Sequence, residues 1–232
     1  MKYKMIVFDL DGTLAEAGKG IERHVANQIK DLEEMGYTIV FNSGKNAAYL
    51  SGFARGIGIS RPIVIGENGS ILLYPFENRE IQLVERGDIL DEIKEKVLET
   101  FTDKVWLQPN QVALTFFPKN REHITELSEF MSDLVNQHED GYVMYTHIDA
   151  IDIIPKNVHK GVSMLELFRQ EKITKDEVIA VGDSTNDIPM LTEAGLSIII
   201  GNKLKLEGAK QFDTIEEALE FIKRQGLSLG RL

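Results

Sequence analysis

Two pairs of aspartates stand at close spacing in this 232-residue chain, Asp9 and Asp11 in FDLDGTL and Asp183 and Asp187 in GDSTND. Carboxylates gathered in one place repel, by about 4 kcal/mol per pair at 4 Å and an effective dielectric of 20. A fold that brings all four together must put something cationic among them. The chain has no cysteine and its five histidines are scattered, so the available ligands are oxygens alone. That donor set suits Mg²⁺, which binds through a few carboxylates together with phosphate and water. A phosphate ester would complete the charge balance together with Lys160, in PKNVHKG.

Taken singly, each of these residues has a plainer reading. An acidic pair after a strand serves turns and caps, Ser43-Gly44 reads as a cap or turn, and a lysine ahead of a helix is usually solvated. Asn186 and Asp187 suit the first turn of a helix, and Asn68-Gly69 between apolar runs is a hairpin signal. Position along the fold has to decide.

The elements that would position them follow from five apolar runs, KMIVFD, YTIVFN, PIVIGENG, VIAVGD and LSIIIGN, each ending in polar or Gly-containing residues. Short continuous runs of this kind read as strands buried on both faces of a parallel sheet. The stretches GIERHVANQIKDLEEMG and NAAYLSGFARGIG between them carry helical periodicity, so the expected fold class is α/β, a doubly wound, Rossmann-like parallel sheet. DTIEEALEFIKRQG, with Thr214 and Glu217 at capping-box spacing, reads as a closing helix. From Glu77 to Asp152 the rhythm changes. REIQLVE, KVWLQ, QVALTFF and YVMYTHI alternate as sheet strands, while DILDEIKEKVLETF and REHITELSEFMSDLVNQH have helical spacing. The expected organisation is a core of 1–76 and 153–232 with an inserted α+β unit over 77–152. The insertion holds 17 acidic and 7 basic side chains, a net of −10 out of −11 for the whole chain.

Composition excludes several classes of function. Without cysteine there is no disulfide, thiolate nucleophile or Cys-ligated zinc, and a cytoplasmic home is the simplest expectation. No apolar run approaches the roughly 20 residues of a membrane helix, and MIVF is too short for a secretory h-region. A net charge of −11 disfavours nucleic acid, whose binding rests on Lys and Arg. Neither a nucleic-acid nor a membrane partner is expected, and the sequence does not specify an oligomer.

In an open parallel sheet, ligands bind beyond the carboxyl ends of the strands near the topological switch point. Asp9 and Asp11 follow the first strand, Ser43 the second, and Asp183 and Asp187 follow VIAV, while Lys160 precedes the helix that leads into VIAV. The four motifs FDLDGTL, FNSGK, Lys160-Gly161 and GDSTNDIPML resemble, in order, those of the haloacid dehalogenase superfamily of phosphotransfer enzymes. The resemblance covers most of 1–75 and 155–210, and GENGS at 66–70 is similar to the Asn-Gly element of the Cof-like subgroup. The placement of the insertion is similar to a C2-type cap.

The resemblance implies a Mg²⁺-dependent phosphatase acting on a small phosphorylated metabolite through an aspartyl-phosphate. Asp9 would be the nucleophile and Asp11 the acid that protonates the leaving oxygen, then the base for water. Spaced by two on extended backbone, they share a side. Ser43, with Gly44, Asn68 and Asn186, would contact substrate. Lys160 would stabilise the nucleophile and the phosphoryl charge, and Asp183 and Asp187 would hold Mg²⁺ with Asp9 and the Asp11 carbonyl. Lys45 stands where many Cof-like chains have Arg, so a bidentate fork is missing there. A phosphomutase of the phosphomannomutase type, or a catalytically silent regulatory module, is the alternative.

In capped relatives the insertion selects the leaving group. By alternation, Val105, Leu107, Val112, Leu114, Phe116, Met144 and Ile148 should pack under the two helices of the insertion. Trp106, Gln108, Thr115, Phe117, Tyr145 and His147 form a mixed set suited to a pocket wall or to a solvated face. That set contains no Lys or Arg. The expectation is therefore a neutral leaving group, which places sugar phosphate ahead of phosphoglycolate, the two candidate substrates suggested by similarity to small sugar phosphatases and archaeal-type phosphoglycolate phosphatases.

Overall fold

A computed structural model of the chain describes residues 2–137 and 141–227. It divides into two compact units, one of 1–81 with 159–232 and one of 82–158. In the larger unit β1 (Met5–Phe8) leads through α1 (Arg23–Glu34) to β2 (Thr38–Asn42), and α2 (Ala47–Ile57) leads to β3 (Ile63–Gly66). β3 turns back antiparallel into β4 (Ile71–Tyr74), and β5 (Arg79–Gln82) follows.

The smaller unit runs α3 (Asp88–Phe101), β6 (Val105–Leu107), β7 (Leu114–Pro118), α4 (Ile124–Asn136), β8 (Tyr142–Thr146) and β9 (Ile151–Pro155). The last residue expected in its second helix, His138, lies outside the described residues. The chain then returns through α5 (Lys160–Glu171), β10 (Val178–Gly182), α6 (Ile188–Thr192), β11 (Leu196–Ile200), β12 (Lys210–Phe212) and α7 (Ile215–Leu227).

The large sheet has the order β12-β11-β10-β1-β2-β3-β4-β5. β1 pairs in parallel with both β10 and β2, with Phe8 opposite Val181 and Phe41. Alternate residues of these strands face opposite layers, and both layers are apolar. Met5, Val7 and Val40 pack with Met164 and Leu167 of α5 and Met190 and Leu191 of α6. On the other face Phe41 meets Phe53 of α2 edge to face, with ring centroids 5.2 Å apart. Burial on both sides explains why these strands read as unbroken hydrophobic runs. It also leaves strand ends as the place for polar chemistry, and the chain reverses its direction of winding between β1 and β10.

In the smaller unit a four-stranded antiparallel sheet, order β6-β7-β9-β8, lays one face on α3 and α4. Val105, Leu107, Leu114, Phe116 and Met144 pack there with Leu90, Ile93, Val97, Phe101, Leu127 and Met131, as alternation predicts. Val112 is buried beside this sheet, but Ile148 is 78% exposed in the turn between β8 and β9 and does not join the apolar set. Two strands also differ from the sequence reading. REIQ, expected in the insertion, is the edge strand of the large sheet, while IDIIP forms β9 in the interior of the small one.

Phe116→Ala should destabilise the protein by about 3–5 kcal/mol, since it empties a fully buried aromatic site. Ile148→Ala should stay within about 0.5 kcal/mol of the parent. Urea unfolding monitored by Trp106 fluorescence measures both, and a large loss at Ile148 would contradict its exposed placement.

Candidate active site

Asp9 leaves the end of β1 with its N–H donating to Val181 O of β10 (2.9 Å), which fixes its backbone beside that strand. Asp183 follows β10 directly, and a 3-10 turn at Thr185–Asp187 brings Asp187 back toward it. One carboxylate oxygen from each of Asp9, Asp183 and Asp187 lies within 4.8 Å of the others, and all three residues are buried. Lys160, at the first turn of α5 and 1% exposed, donates to Asp9 Oδ1 and to Asp187 Oδ1, each at 2.6 Å. The other oxygen of Asp187 accepts from the N–H groups of Asp183 (3.0 Å) and Ser184 (3.1 Å). Asp187 is thereby clamped, and it aims Lys160 at Asp9.

The backbone around the cluster is equally constrained. Gly12 has φ +91°, and a Cβ there would come within 2.5 Å of the Asp183 carboxylate. Gly69 has φ +109°, and its Cβ would meet His159 O at 2.6 Å. Neither position accepts a side chain without displacing the site.

Two of the buried charges are shifted in the same direction. Burial pushes the Asp9 carboxyl up to about 7; Lys160 opposes the shift and Asp187 reinforces it. Burial, then the Asp187 carboxylate, also raise Asp183, against the exposed Lys203, whose Nζ is 3.3 Å away. For Lys160 burial alone would lower the value, but Asp9 and Asp187 outweigh it and hold the ammonium above the usual lysine range.

With all three carboxylates ionised, the one buried ammonium leaves an excess of two negative charges. The donors are all oxygen and close together, which fits a hard divalent cation. Asp9, Asp183 and Asp187 are the residues that would hold it.

Asp11 stands apart from this cluster. Its Oδ2 is 3.1 Å from Lys45 Nζ, and its Oδ1 accepts from the Gly18 N–H at 3.4 Å. Ser43 is buried, its N–H donates to Ile65 O, and its hydroxyl accepts from the Lys45 N–H at 3.3 Å. Asn68, at φ +56°, is buried with its side-chain amide against Gly44, and its N–H donates to Ser43 O at 3.1 Å. Asn186 is exposed and accepts from the Ser184 hydroxyl.

Within the smaller unit, Trp106 and Phe117 pair across β6 and β7 with ring centroids 5.3 Å apart, and Trp106 and Tyr145 are each about half exposed. Gln108 and Thr115 are buried and joined through Asn110, by bonds of 2.6 and 3.0 Å. His147 lies just past β8, with Nε2 3.3 Å from Asp152 Oδ2.

Sequence reasoning passed over four residues that the geometry brings forward. The Thr13 hydroxyl bridges Asp9 (3.1 Å) and Asp183 (3.2 Å), and its signal was its place within FDLDGTL. Asn42 and Ser163 both donate to Lys160 O, at 3.1 and 2.8 Å, fixing the start of α5. Asn42 stands within FNSGK, next to Ser43. Asp152, buried on the mixed face opposite Thr115 and Tyr145, was hidden in an apolar run.

The sequence model of the haloacid dehalogenase-like hydrolase family matches residues 6–104 and 90–206. Among curated proteins, the chain is 27% identical over 208 residues to a protein named phosphoglycolate phosphatase from Nitrosopumilus maritimus, covering 87% of this chain and 85% of that one. A protein of the same name from Methanococcoides burtonii is 28% identical over 202 residues, with coverage of 87% and 85%. A solved haloacid dehalogenase-like hydrolase from Bacteroides thetaiotaomicron superposes with a TM-score of 0.77 at 18% identity, covering 95% of this chain and all of that one. This last likeness concerns the fold.

The raised Asp9 carboxyl has a consequence for stability. Its folded value of about 7 exceeds its ordinary 3.8, so the native state binds this proton more tightly than the unfolded chain does. The stability it contributes is fully present below about pH 4 and is lost as pH rises through about 7. Asp9→Asn removes that loss. In metal-free buffer the stability of the variant relative to the parent should therefore rise between about pH 4 and about pH 8, by an amount on the order of a few kcal/mol. Urea unfolding at several pH values reads this out, and a flat difference would mean that Lys160 alone compensates Asp9.

Proposed function

We propose, from the premise that this chain belongs to the haloacid dehalogenase-like hydrolases, that it is a Mg²⁺-dependent phosphatase for a small phosphorylated metabolite, working through an aspartyl-phosphate. The observation that carries the reading is the buried cluster of Asp9, Lys160, Asp183 and Asp187 at the carboxyl ends of β1 and β10. The relatives named phosphoglycolate phosphatase support phosphate-ester hydrolysis. A cytoplasmic location rests on the absence of cysteine.

Phosphoryl transfer asks mainly for positioning and charge neutralisation. The Asp9 carboxylate attacks phosphorus and forms an acyl phosphate, which divides one displacement into two easier ones. Lys160 keeps Asp9 oriented and offsets the charge that gathers on the phosphoryl oxygens. The Ser43 hydroxyl, on the neighbouring strand end, donates to one of those oxygens, with Gly44 and Asn68 shaping the backbone beside it. Asp11 gives a proton to the leaving oxygen and afterwards takes one from the water that attacks the acyl phosphate. A bound Mg²⁺ would be held by Asp9, Asp183, Asp187 and the Asp11 carbonyl and would supply charge neutralisation. The unit of 82–158 serves as the inserted cap, a role drawn from the family resemblance. The mixed face bearing Trp106, Gln108, Thr115, Tyr145 and His147 is its proposed contribution to choosing the leaving group. Two leaving groups suit this reading, a sugar and glycolate.

Asp9→Asn should lower kcat by at least about 10³-fold while leaving the circular dichroism spectrum unchanged; retained turnover, with deamidation excluded by mass spectrometry, would sink the nucleophile assignment. Asp11→Asn should cost more with alkyl than with aryl phosphates, because only poor leaving groups need the proton. Removing divalent metal with EDTA should abolish phosphate release, and Mg²⁺ should restore it where Ca²⁺, with its longer and looser coordination, does not. Full activity in verified metal-free protein would contradict the cluster's role.

A further inference from the structure

A cavity of about 480 Å³ opens beside the site in the larger unit, walled by Asp11, Lys45, Ile21, Tyr49 and Phe53 among others. Lys45 lies in the loop between β2 and α2, two residues beyond Ser43. Its Nζ is 3.1 Å from Asp11 Oδ2, and both side chains are a little under one-third exposed. A second lysine on the wall, Lys19, is mostly exposed and is paired with Glu16. Lys45 is thus the cation that meets Asp11 on the cavity wall, in a chain whose net charge is −11.

We propose that Lys45 is a specificity-determining residue that receives an anionic group on the leaving-group side of the ester, and that the preferred substrates carry a carboxylate one carbon from the ester oxygen. This rests on the phosphatase reading above, in which Asp11 meets the leaving oxygen. The geometry matches. In an ester of that kind the leaving oxygen and the nearer carboxylate oxygen lie roughly 3 Å apart by ordinary bond lengths and angles. An oxygen placed against Asp11 therefore brings the carboxylate within hydrogen-bonding reach of Nζ, which is the same distance away. A charge-assisted N–H···O contact is stronger than a neutral one, and it replaces the contact that Lys45 makes to Asp11. A lysine suits a single small carboxylate, since it is a compact point charge on a flexible stem. The neutral leaving group expected from the cation-free strands of the smaller unit gives way to an acidic one, because the cation stands in the larger unit.

The test compares kcat/KM for 2-phosphoglycolate with that for 2-hydroxyethyl phosphate, its neutral counterpart of equal carbon count, in the parent, Lys45→Met and Lys45→Arg, with Mg²⁺ present. The parent should favour 2-phosphoglycolate by tenfold or more. Lys45→Met should shrink that ratio at least tenfold, chiefly through KM for 2-phosphoglycolate, and Lys45→Arg should keep it. No preference in the parent, a proportionate loss on both esters in Lys45→Met, or loss of the preference in Lys45→Arg overturns the assignment. p-Nitrophenyl phosphate separates the two levels. Hydrolysis of it without carboxylate selectivity defeats the role of Lys45 alone, whereas no hydrolysis of any ester defeats the phosphatase reading.

Discussion

Burying three carboxylates around one ammonium is the constraint on which the rest of the larger unit depends. Each charge removed from water costs several kcal/mol unless geometry restores what solvent supplied. Here the restoration is spread over many elements. Lys160 bridges Asp9 and Asp187, the turn after β10 offers its N–H groups to Asp187, and Thr13 reaches across from the loop after β1. Lys160 also sits at the first turn of α5, where the helix dipole disfavours a positive charge. Its place is held by the two carboxylates it bridges and by Asn42 and Ser163, which fix its carbonyl. A stable fold alone has no use for this arrangement. Its excess negative charge calls for a cation in the cluster.

Much of this was legible because the relevant residues stand next to strong local signals. Asp9 and Asp183 end strands that read as fully buried runs, and strand ends on one edge of a parallel sheet converge whatever lies between them in sequence. Lys160 carried no such signal. A lysine ahead of a helix is ordinarily solvated, and only the tertiary packing of α5 shows it buried. Thr13 and Asn42 stand inside two of the motifs, but their bonds to Asp183 and to Lys160 span 170 and 118 residues and appear only in the fold.

The strands that were misassigned show the limit of reading periodicity. REIQ alternates between half-buried and exposed positions because β5 is the edge of the large sheet, and an edge strand gives the same period-two pattern as a sheet covered on one side. IDIIP is buried along its whole length because β9 lies between β7 and β8, with Asp152 taken up on the mixed face. Ile148 continued the alternation on paper, but the chain had already turned. Alternation reports which residues are half covered; it does not report which sheet covers them.

The two lysine–aspartate pairs of the site divide its work by burial. Lys160 and Asp9 are at 2.6 Å and almost fully enclosed, so separating them would strand charges in a medium that cannot solvate them. That pair is fixed, which suits the proposed role of Asp9 as a nucleophile held in one orientation. Lys45 and Asp11 are at 3.1 Å and partly open to water. Pairs of that kind contribute about 0–1 kcal/mol, because solvent competes for both partners. Breaking the contact between them is correspondingly cheap. The proposed mechanism, in which Asp11 serves first a leaving oxygen and then a water, needs that looseness at Asp11 and not at Asp9, and the depth of each pair below the surface supplies the difference.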